Sequence, residues 1–267
     1  DSNEQLIDTV HTEEERYVVS LNNMSDYLKN AYVSIEDERF YDHIGIDLRR
    51  IAGAAFTDVK NKLTGKSGLH GASTLTQQLL KNTILTNDVT MERKLTEMYL
   101  ATKLEKILQK DQILEAYLNT IPLGGKLYGV EAASMYYFGK PALQLNLIQS
   151  AYIAGITQAP SYYSAYTEKM QTDPTPFINR TKTVLLKIKD LGKISEEEYN
   201  QAISTLDEKK RDAYEFKTQK ISYKLNYEWF VNPAISQVKK DLKEQLKLSD
   251  AEISKMLVNG GLKIYTT

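Results

Sequence analysis

Apolar positions along much of the chain recur at three- and four-residue steps, the spacing of one face of an α-helix. The clearest case is the stretch MERKLTEMYLATKLEKIL, which begins at Met91. Its apolar positions are Met91, Leu95, Met98, Ala101, Leu104 and Leu108. The pattern predicts a long amphipathic helix with these side chains on one face.

Several shorter stretches also predict helices. DQILEAYLNTIPLGG indicates a helix from about Asp111 to Asn119, ended by the proline and glycines that follow. GVEAASMYYFGK predicts a short helix that ends at Gly139, and the almost wholly apolar LIQSAYIAGI is expected in the core. Ser195 and Glu198 form the sequence pattern of a capping box, so another helix begins there.

Strand-like alternation occurs only near the two ends, in QLIDTV and RYVVSL at the start and in GLKIYTT at the finish. A highly charged stretch from about Thr205 to Lys220 has the composition of a boundary or linker. Together these patterns predict a mainly α domain with short N-terminal and C-terminal β segments.

Composition narrows the possible functions. The 267 residues include 42% hydrophobic and 26% charged side chains, which is typical of a soluble globular fold. With a net charge of -1, the chain has no overall attraction to nucleic acid, and we expect no nucleic-acid partner. The absence of cysteine excludes disulfides and thiolate chemistry, and the three histidines lack the spacing of metal ligands, so no metal site is predicted.

The stretch SIEDERFYDHIGID, from Ser34 to Asp47, places acids, an arginine, aromatic rings and a histidine close together. If it is helical, Glu36, Phe40 and His43 lie on one stripe. A carboxylate beside a ring on a partly apolar face has its ionised form disfavoured, which brings it toward the strength of a general base.

A second stretch, GASTLTQQLLK, contains a capping box formed by Thr74 and Gln77, so a helix begins here. The amides and dipole at such a helix start favour an anion, and Gln77, Gln78 and Lys81 fall within one turn of each other. The alternative is an ordinary capped helix without a ligand. In ERKLTEMYL, Arg93 and Glu97 share a helix face, and here the alternative is an exposed ion pair of little energetic value.

Taken together, these stretches resemble the peptidoglycan glycosyltransferases, glycosyltransferase family 51. EDERFYDHIGID is similar to the first family motif, GASTLTQQLLK to the second and RKLTEM to the third. KDQILEAYLN with GVEAASMYYFGK resembles the fourth, and LNLIQSAYIAGITQAPSYY the fifth. Two departures occur in the fifth: Gln149 stands where the family usually has glutamate, and the proline usually found soon after Tyr163 is missing.

The resemblance implies a lysozyme-like, two-lobed helical domain that polymerises glycan chains. It implies Glu36 as general base and Glu97 as the acid that assists departure of the leaving group, either by placing a cation or as a second acid–base group. The residues implied to bind substrate are Ser73, Gln77, Gln78, Lys81, Arg93, Lys94 and Arg180. The residues implied to form a supporting wall are Asp37, Arg39, Phe40 and His43.

The implied partners are lipid II, the nascent glycan chain, moenomycin-type inhibitors and a membrane surface. No resident cofactor is implied, and a divalent cation (Mg²⁺ or Mn²⁺) at most stimulates the reaction. The expected location is the extracytoplasmic face of the bacterial membrane, with the native anchor outside this chain. We expect residues 1–20 to be a strand and linker after the anchor, 21–205 the glycosyltransferase domain, and 206–267 a linker and the start of a transpeptidase domain.

A segment between the first two motifs, IDLRRIAGAAFTDVKNKL, combines apolar and basic residues in the manner of a membrane-surface helix. From the pattern alone, a helix docked on the core is an equal alternative. Two other functions also remain open: a lytic enzyme that cuts glycan with a single glutamate, and a glycan-binding scaffold without activity. A lytic enzyme would not need the basic cluster of Lys81, Arg93 and Lys94.

Overall fold

The chain divides into two compact units. The computed structural model describes residues 15–53, 73–85, 90–217, 228–259 and 264–265. The main unit is Arg16–Lys217, and the terminal unit consists of Asp1–Glu15 together with Thr218–Thr267. The sequence-based divisions after residues 20 and 205 differ from these unit boundaries, which follow Glu15 and Lys217, and the three segments with their assigned functions remain predictions.

Helices form most of the main unit. They are α1 (Asp26–Glu36), α2 (Leu75–Thr83), α3 (Met91–Leu104), α4 (Lys110–Thr120), α5 (Val130–Phe138), α6 (Leu147–Ile156), α7 (Pro160–Tyr163), α8 (Glu168–Thr172), α9 (Thr175–Asp190) and α10 (Glu196–Lys209). Residues 48–53 are also helical, and short 3₁₀ helices cover Leu21–Asn23, Ala142–Gln144 and Lys210–Tyr214. The mainly α class predicted from the sequence is confirmed.

The core is centred on α6, which packs against both α1 and α9. Its residues from Ile148 to Ile156 are all buried, so the expectation for this apolar stretch is confirmed. Gln149 completes a capping box with Asn146, and its Nε2 donates to the main-chain oxygen of Tyr214 at 2.9 Å. The departure from the family pattern at Gln149 thus has a structural role, because the amide joins α6 to the end of the main unit.

The charged stretch after Thr205 is largely folded. Helix α10 continues to Lys209, and Tyr214 is fully buried, with its ring stacked on that of Phe216 at 5.0 Å between centroids. The boundary between the units does fall within the charged stretch, after Lys217. The residues before it belong to the core because aromatic side chains interrupt the charges.

The strands differ from those predicted. The two strands in the described residues are β1 (Glu15–Arg16) and β2 (Leu127–Tyr128), which form a two-stranded sheet. The prediction of a strand in RYVVSL is therefore wrong beyond Arg16. Strand β2 lies in a stretch for which the sequence predicted no strand. QLIDTV and most of GLKIYTT lie outside the described residues.

The described part of the terminal unit is mainly helical. It contains α11 (Glu228–Leu246) and α12 (Asp250–Asn259), which pack against each other and bury Ile253. Across the described parts of both units, no helix is both long and apolar enough to cross a membrane.

Candidate active site

The start of α2 is fixed by the capping box that the sequence predicts. Thr74 Oγ1 accepts a hydrogen bond from the Gln77 amide at 3.2 Å, and Gln77 Oε1 accepts one from the Thr74 amide at 3.1 Å. Asp37 Oδ2 accepts a bond from the first helical amide, that of Leu75, at 2.9 Å. The helix start is confirmed, but two of its amides are already bound within the protein. The expected anion at this position is therefore at least partly replaced by the Asp37 carboxylate.

Glycine is required at position 45, between α1 and α2. Gly45 has φ +97°, and a Cβ atom on it would lie 2.4 Å from the main-chain oxygen of Ala101 on α3. Its own carbonyl oxygen accepts a hydrogen bond from the Thr74 hydroxyl at 2.6 Å. The loop that follows α1 thus contacts α3 and the start of α2 at the same residue, and only glycine allows this approach without strain.

Glu36 is the last residue of α1, and its side chain is half-buried. Gln78 Nε2 on α2 donates to Glu36 Oε2 at 3.0 Å. Arg50 Nη1 donates to the main-chain oxygen of Glu36 at 2.6 Å, which satisfies a carbonyl at the end of the helix. The Glu36 carboxylate also acts on Arg180 of α9: burial lowers the pKa of the guanidinium, and the negative charge of Glu36 acts in the opposite direction.

Glu97 lies within α3 and is only 2% exposed. Its Oε2 accepts a hydrogen bond from Arg93 Nη1 at 2.8 Å, and its Oε1 accepts one from Gln77 Nε2 at 2.9 Å and pairs with Lys94 Nζ. Lys94 Nζ also donates to Ser73 Oγ at 2.8 Å. The alternative of an exposed Arg93–Glu97 pair with little energetic value is therefore wrong, because a buried carboxylate depends on such partners.

His43 and Asp37 form a buried hydrogen-bonded pair. The Nδ1 atom of His43 accepts a hydrogen bond from the Gly45 amide at 3.1 Å, so the proton of a neutral ring is on Nε2. Nε2 then donates to Asp37 Oδ2 at 2.9 Å. Both residues predicted for the supporting wall thus hold the loop after α1 against the start of α2.

The other two predicted wall residues also support this loop. The Phe40 ring is fully buried and lies under the ammonium of Lys110, with Nζ 4.7 Å from the ring centroid. Arg39 Nε donates to Asp47 Oδ2 at 2.9 Å. Burial acts to raise the pKa of Asp47, but hydrogen bonds from the Arg50 amide and Arg39, together with the charge of Arg39, hold it below its usual value.

The proposed helical stripe of Glu36, Phe40 and His43 is wrong. Helix α1 ends at Glu36, and residues 37–46 form turns and bends. The side-chain contact on Glu36 is the polar amide of Gln78, so the argument from an apolar ring face does not hold. Asp37 takes the C-cap position with φ -155°, and its pairing with His43 and Leu75 accounts for the end of the helix.

Two residues predicted for substrate binding lie at the edges of this arrangement. Lys81 is exposed in the last turn of α2, on the side of Gln77 and Gln78 because of the three- and four-residue spacing. Arg180 is half-buried, and its Nε donates to the main-chain oxygen of Gly155 at 3.1 Å. The other predicted contacts, Ser73 and Lys94, lie beside Glu97.

Sequence reasoning missed two groups that the structure brings to the site. Tyr117 on α4 donates its hydroxyl proton to Gln78 Oε1 at 3.0 Å. Glu105 pairs with Lys110 at 2.7 Å and accepts a hydrogen bond from the Thr76 hydroxyl at 2.6 Å. A tyrosine on a buried helix face needs a partner for its hydroxyl, which was the one available signal for Tyr117.

Comparison with known proteins decides the family. A family model described as Transglycosylase matches residues 3–189. The chain belongs to this family. It is an enzyme of the peptidoglycan glycosyltransferase class, as its motifs implied, and its mainly helical architecture agrees with the fold class expected from those motifs.

Named relatives agree with this assignment. The transglycosylase is 53% identical over 267 residues to penicillin-binding protein 1A of Clostridium botulinum (strain Langeland), covering 100% of this chain and 32% of the relative. It is 49% identical over 267 residues to penicillin-binding protein 1A of Clostridium perfringens (strain 13), with 100% and 39% covered. Penicillin-binding protein 2D of Bacillus subtilis is 37% identical over 257 residues, with 95% and 33% covered.

The transglycosylase therefore spans about a third of the length of the curated relatives it matches. A crystal structure of penicillin-binding protein 1A from Haemophilus influenzae aligns with 90% of this chain and 23% of that chain, at a TM-score of 0.45 and 21% identity. The assignment rests on the family model and the curated relatives.

Proposed function

We propose that this transglycosylase polymerises lipid II, the disaccharide-pentapeptide carried on a polyprenyl pyrophosphate. The 4-hydroxyl of an acceptor sugar attacks the anomeric carbon of the donor chain, and inversion at that carbon gives a β-1,4 linkage. The bond from the anomeric carbon to the pyrophosphate oxygen breaks, and its electron pair leaves with the pyrophosphate. The reaction therefore requires a base for the hydroxyl and cations for the leaving group.

One observation carries the proposal. The start of α2 contacts two carboxylates at once, Glu36 through Gln78 and Glu97 through Gln77, and the Glu97 carboxylate is also paired with two cations, Arg93 and Lys94. Two acids in such different surroundings suit two different roles. We assign the base to Glu36 and the leaving-group side to Glu97.

Glu36 receives the proton of the acceptor hydroxyl in this mechanism. Its Oε2 already accepts a hydrogen bond from Gln78, so we assign the incoming proton to Oε1. Arg180 lies near enough for the charge of Glu36 to act on it, so a guanidinium lies on this side of the site.

Glu97 acts by placing cations. Its carboxylate accepts hydrogen bonds from Arg93, Lys94 and Gln77, which supports a positioning role over the alternative of a second acid–base group. Lys94 bridges Glu97 and Ser73, and Lys81 lies one turn from the glutamines. Arg93, Lys94 and Lys81 are the cations we assign to the departing pyrophosphate, since charge-assisted contacts to phosphate oxygens are strong.

The same cations are expected to bind the phosphate of moenomycin-type inhibitors. Within the described residues, no group of three or more histidine, aspartate or glutamate side chains is arranged to hold a metal ion. We assign a stimulatory divalent cation to the substrate phosphates, and no step of the proposed mechanism passes through it.

An apolar face on α3 supports contact with a membrane that carries the substrate. Met91, Leu95 and Tyr99 are spaced four residues apart and are 77%, 62% and 60% exposed. The helix predicted here is confirmed from Met91 to Leu104, but Leu108 lies beyond its end, and Met91 and Leu95 of the predicted apolar face are exposed. Ile44, 70% exposed, precedes Gly45, which contacts the same helix, and Leu48, 66% exposed, follows three residues after Gly45.

We assign these residues to the surface of an anionic bilayer, because Lys94 and Lys103 lie on the same helix. The segment from Ile46 to Leu63, also predicted for membrane contact, lies mostly outside the described residues. A lipid-linked substrate places the reaction at the extracytoplasmic face of the bacterial membrane, where peptidoglycan is assembled.

Incubation of the protein with lipid II in detergent tests the function directly. We expect glycan polymer, and we expect none from Glu36→Gln. Cleavage of preformed glycan without polymerisation would support the lytic alternative instead. Binding of glycan with neither reaction would support a scaffold, and both outcomes would contradict the proposal.

A further inference from the structure

Two hydrogen bonds connect the buried core to the carboxylate of Glu36. Tyr117 of α4 is fully buried, and its hydroxyl donates to Gln78 Oε1 at 3.0 Å. The other end of the same amide, Gln78 Nε2, donates to Glu36 Oε2 at 3.0 Å. The three residues lie on three helices, so this path is set by tertiary packing.

We propose that Tyr117 is a positioning residue for Glu36: its hydroxyl proton fixes the Gln78 amide so that the N–H side faces the carboxylate. This inference deepens the proposed function and rests on it for the rate measurements below. Tyr117 itself does not touch the reacting atoms.

The direction of each hydrogen bond follows from chemistry. A carboxylate only accepts hydrogen bonds, so Gln78 must present its NH₂ group to Glu36 and its carbonyl oxygen to Tyr117. That oxygen needs a donor, and the phenol is the donor in contact with it. If the amide rotated by half a turn, its carbonyl oxygen would face the Glu36 carboxylate, and two acceptors would repel each other.

Tyr117 keeps its proton under all ordinary conditions. Burial, followed by the negative charges of Glu36 and of nearby groups, raises the pKa of Tyr117 well above its usual value. A phenol that ionised would become an acceptor and would favour the wrong orientation of the amide. The positioning role therefore requires the Tyr117 phenol to be neutral.

The charged and titratable groups around Glu36 come from several elements. Asp37 follows it in the chain, Tyr32 lies on α1, and Tyr117 lies on α4. Arg50 contacts its main-chain oxygen, and Arg180 approaches from α9. The Glu36 carboxylate accepts a side-chain hydrogen bond from Gln78. The orientation of the Gln78 amide should therefore affect how well the negative charge of the base is stabilised.

A purely structural role for Tyr117 makes a different prediction. Its ring packs edge-on against Tyr32 at 5.9 Å between centroids, and phenylalanine would preserve that packing. The substitution Tyr117→Phe thus removes only the hydroxyl. Tyr137→Phe is the matched control, because Tyr137 is equally buried and its hydroxyl donates to Ser164 Oγ at 2.9 Å, away from Glu36.

The first measurement is independent of activity. In protein labelled with ¹³C at the glutamate carboxyls, the signal of Glu36 is assigned by its loss in Glu36→Gln and then titrated by NMR. We expect Tyr117→Phe to move the Glu36 midpoint to higher pH by about half a unit or more, since the carboxylate loses a fixed donor. Tyr137→Phe should leave the midpoint unchanged.

The second measurement uses lipid II polymerisation. Tyr117→Phe should lower kcat roughly 3- to 10-fold with little change in KM, and the acidic limb of the pH–rate profile should move with the midpoint. Gln78→Met removes the link, so Tyr117→Phe should add almost nothing to it in a double-mutant cycle. A loss of stability alone would lower active enzyme without moving the pH profile.

The results separate the two proposals. An unshifted Glu36 midpoint in folded Tyr117→Phe, or full additivity of Tyr117→Phe with Gln78→Met, overturns the positioning role. A shifted midpoint in a protein that makes no polymer from lipid II keeps the positioning role and overturns the proposed function.

Discussion

Gln77 and Gln78 are adjacent in the chain but donate to carboxylates on two different helices. Gln77 Nε2 lies 2.9 Å from Glu97 Oε1 on α3, and Gln78 Nε2 lies 3.0 Å from Glu36 Oε2 at the end of α1. Successive residues of an α-helix are about 100° apart around its axis, so neighbouring side chains reach to different sides. The start of α2 thereby fixes the distance between the two acids that we assign to base and leaving-group roles.

Glu36→Gln should abolish polymerisation while the protein stays folded. The amide has the size of the carboxylate but cannot take the acceptor's proton, and general-base catalysis is worth ~10²–10⁴-fold. We expect the rate of lipid II polymerisation to fall at least ~100-fold, with thermal unfolding and inhibitor binding nearly unchanged. A near wild-type rate would show that another group is the base.

Glu97→Gln offers a comparison for the same assay. It weakens the placement of Arg93 and Lys94, so its loss should fall on departure of the pyrophosphate. A donor with a better leaving group should therefore rescue Glu97→Gln more than Glu36→Gln. Equal rescue of the two variants would contradict the division of roles.

Lys81→Ala should weaken binding of lipid-phosphate ligands, including moenomycin-type inhibitors. Lys81 is exposed in the last turn of α2, so its removal should cost little stability, while a lost charge-assisted contact costs about 1.5–3 kcal/mol of binding. Lys209→Ala is the matched control, since Lys209 is also exposed in the last turn of a helix. If calorimetry gives the same ligand affinity for Lys81→Ala and Lys209→Ala, Lys81 does not contact the lipid-phosphate ligand.

Arg93→Ala should weaken the same ligands and also lower the free energy of unfolding. Its guanidinium donates to the buried Glu97, and removing one partner of a buried pair leaves a charge poorly compensated. Adding Glu97→Gln to Arg93→Ala should recover stability but not ligand binding. Recovery of both would mean that Arg93 only supports the fold.

Local features of the site could be predicted from the sequence, and contacts between distant segments could not. The capping box of Thr74 and Gln77 involves residues three apart, so its pattern is visible in the chain. The path from Glu36 through Gln78 to Tyr117 joins residues 42 and 39 positions apart, and only packing brings them together. Family motifs pointed to Glu36 and Gln78 as site residues, whereas the buried helix face of Tyr117 indicated only that its hydroxyl needs some partner, not which one.

In α3 as well, helical periodicity in the sequence predicts only part of the structure. It correctly predicts the helix but does not say what covers each apolar residue: Ala101 is buried against the core, while Met91 is 77% exposed. The stripe of Glu36, Phe40 and His43 failed because periodicity assumes that a helix continues. Here Asp37 ends α1 by pairing with His43 and with the amide of Leu75.

Stability should depend on pH through Asp47. Its pKa is lowered in the folded protein, so the carboxylate contributes stability that is present above the unfolded pKa of about 3.9 and is lost as the pH falls through the folded value. Asp47→Asn should therefore be less stable than wild type at pH 7, and the difference should shrink below pH ~4. Urea unfolding at a series of pH values measures this, and a difference that is independent of pH would contradict the assignment to Asp47.

The exposed apolar face of α3 should attach the protein to membranes. Met91→Ser and Leu95→Ser together remove two large apolar side chains that are 77% and 62% exposed, so vesicle binding should fall while the melting temperature changes little. Each apolar side chain that enters a bilayer contributes roughly 1.5–3 kcal/mol, so the pair should lower the partition coefficient at least ~100-fold.

Leu143→Ser is the matched control, because Leu143 is 52% exposed on a 3₁₀ helix away from α3. Sedimentation with vesicles of anionic and of neutral lipid separates the apolar contribution from that of the basic residues, since only the basic contribution depends on lipid charge and salt. If the α3 variant sediments like wild type and like Leu143→Ser, the face does not contact the bilayer. If instead it unfolds at a much lower temperature, Met91 and Leu95 have a packing role that their exposure does not explain.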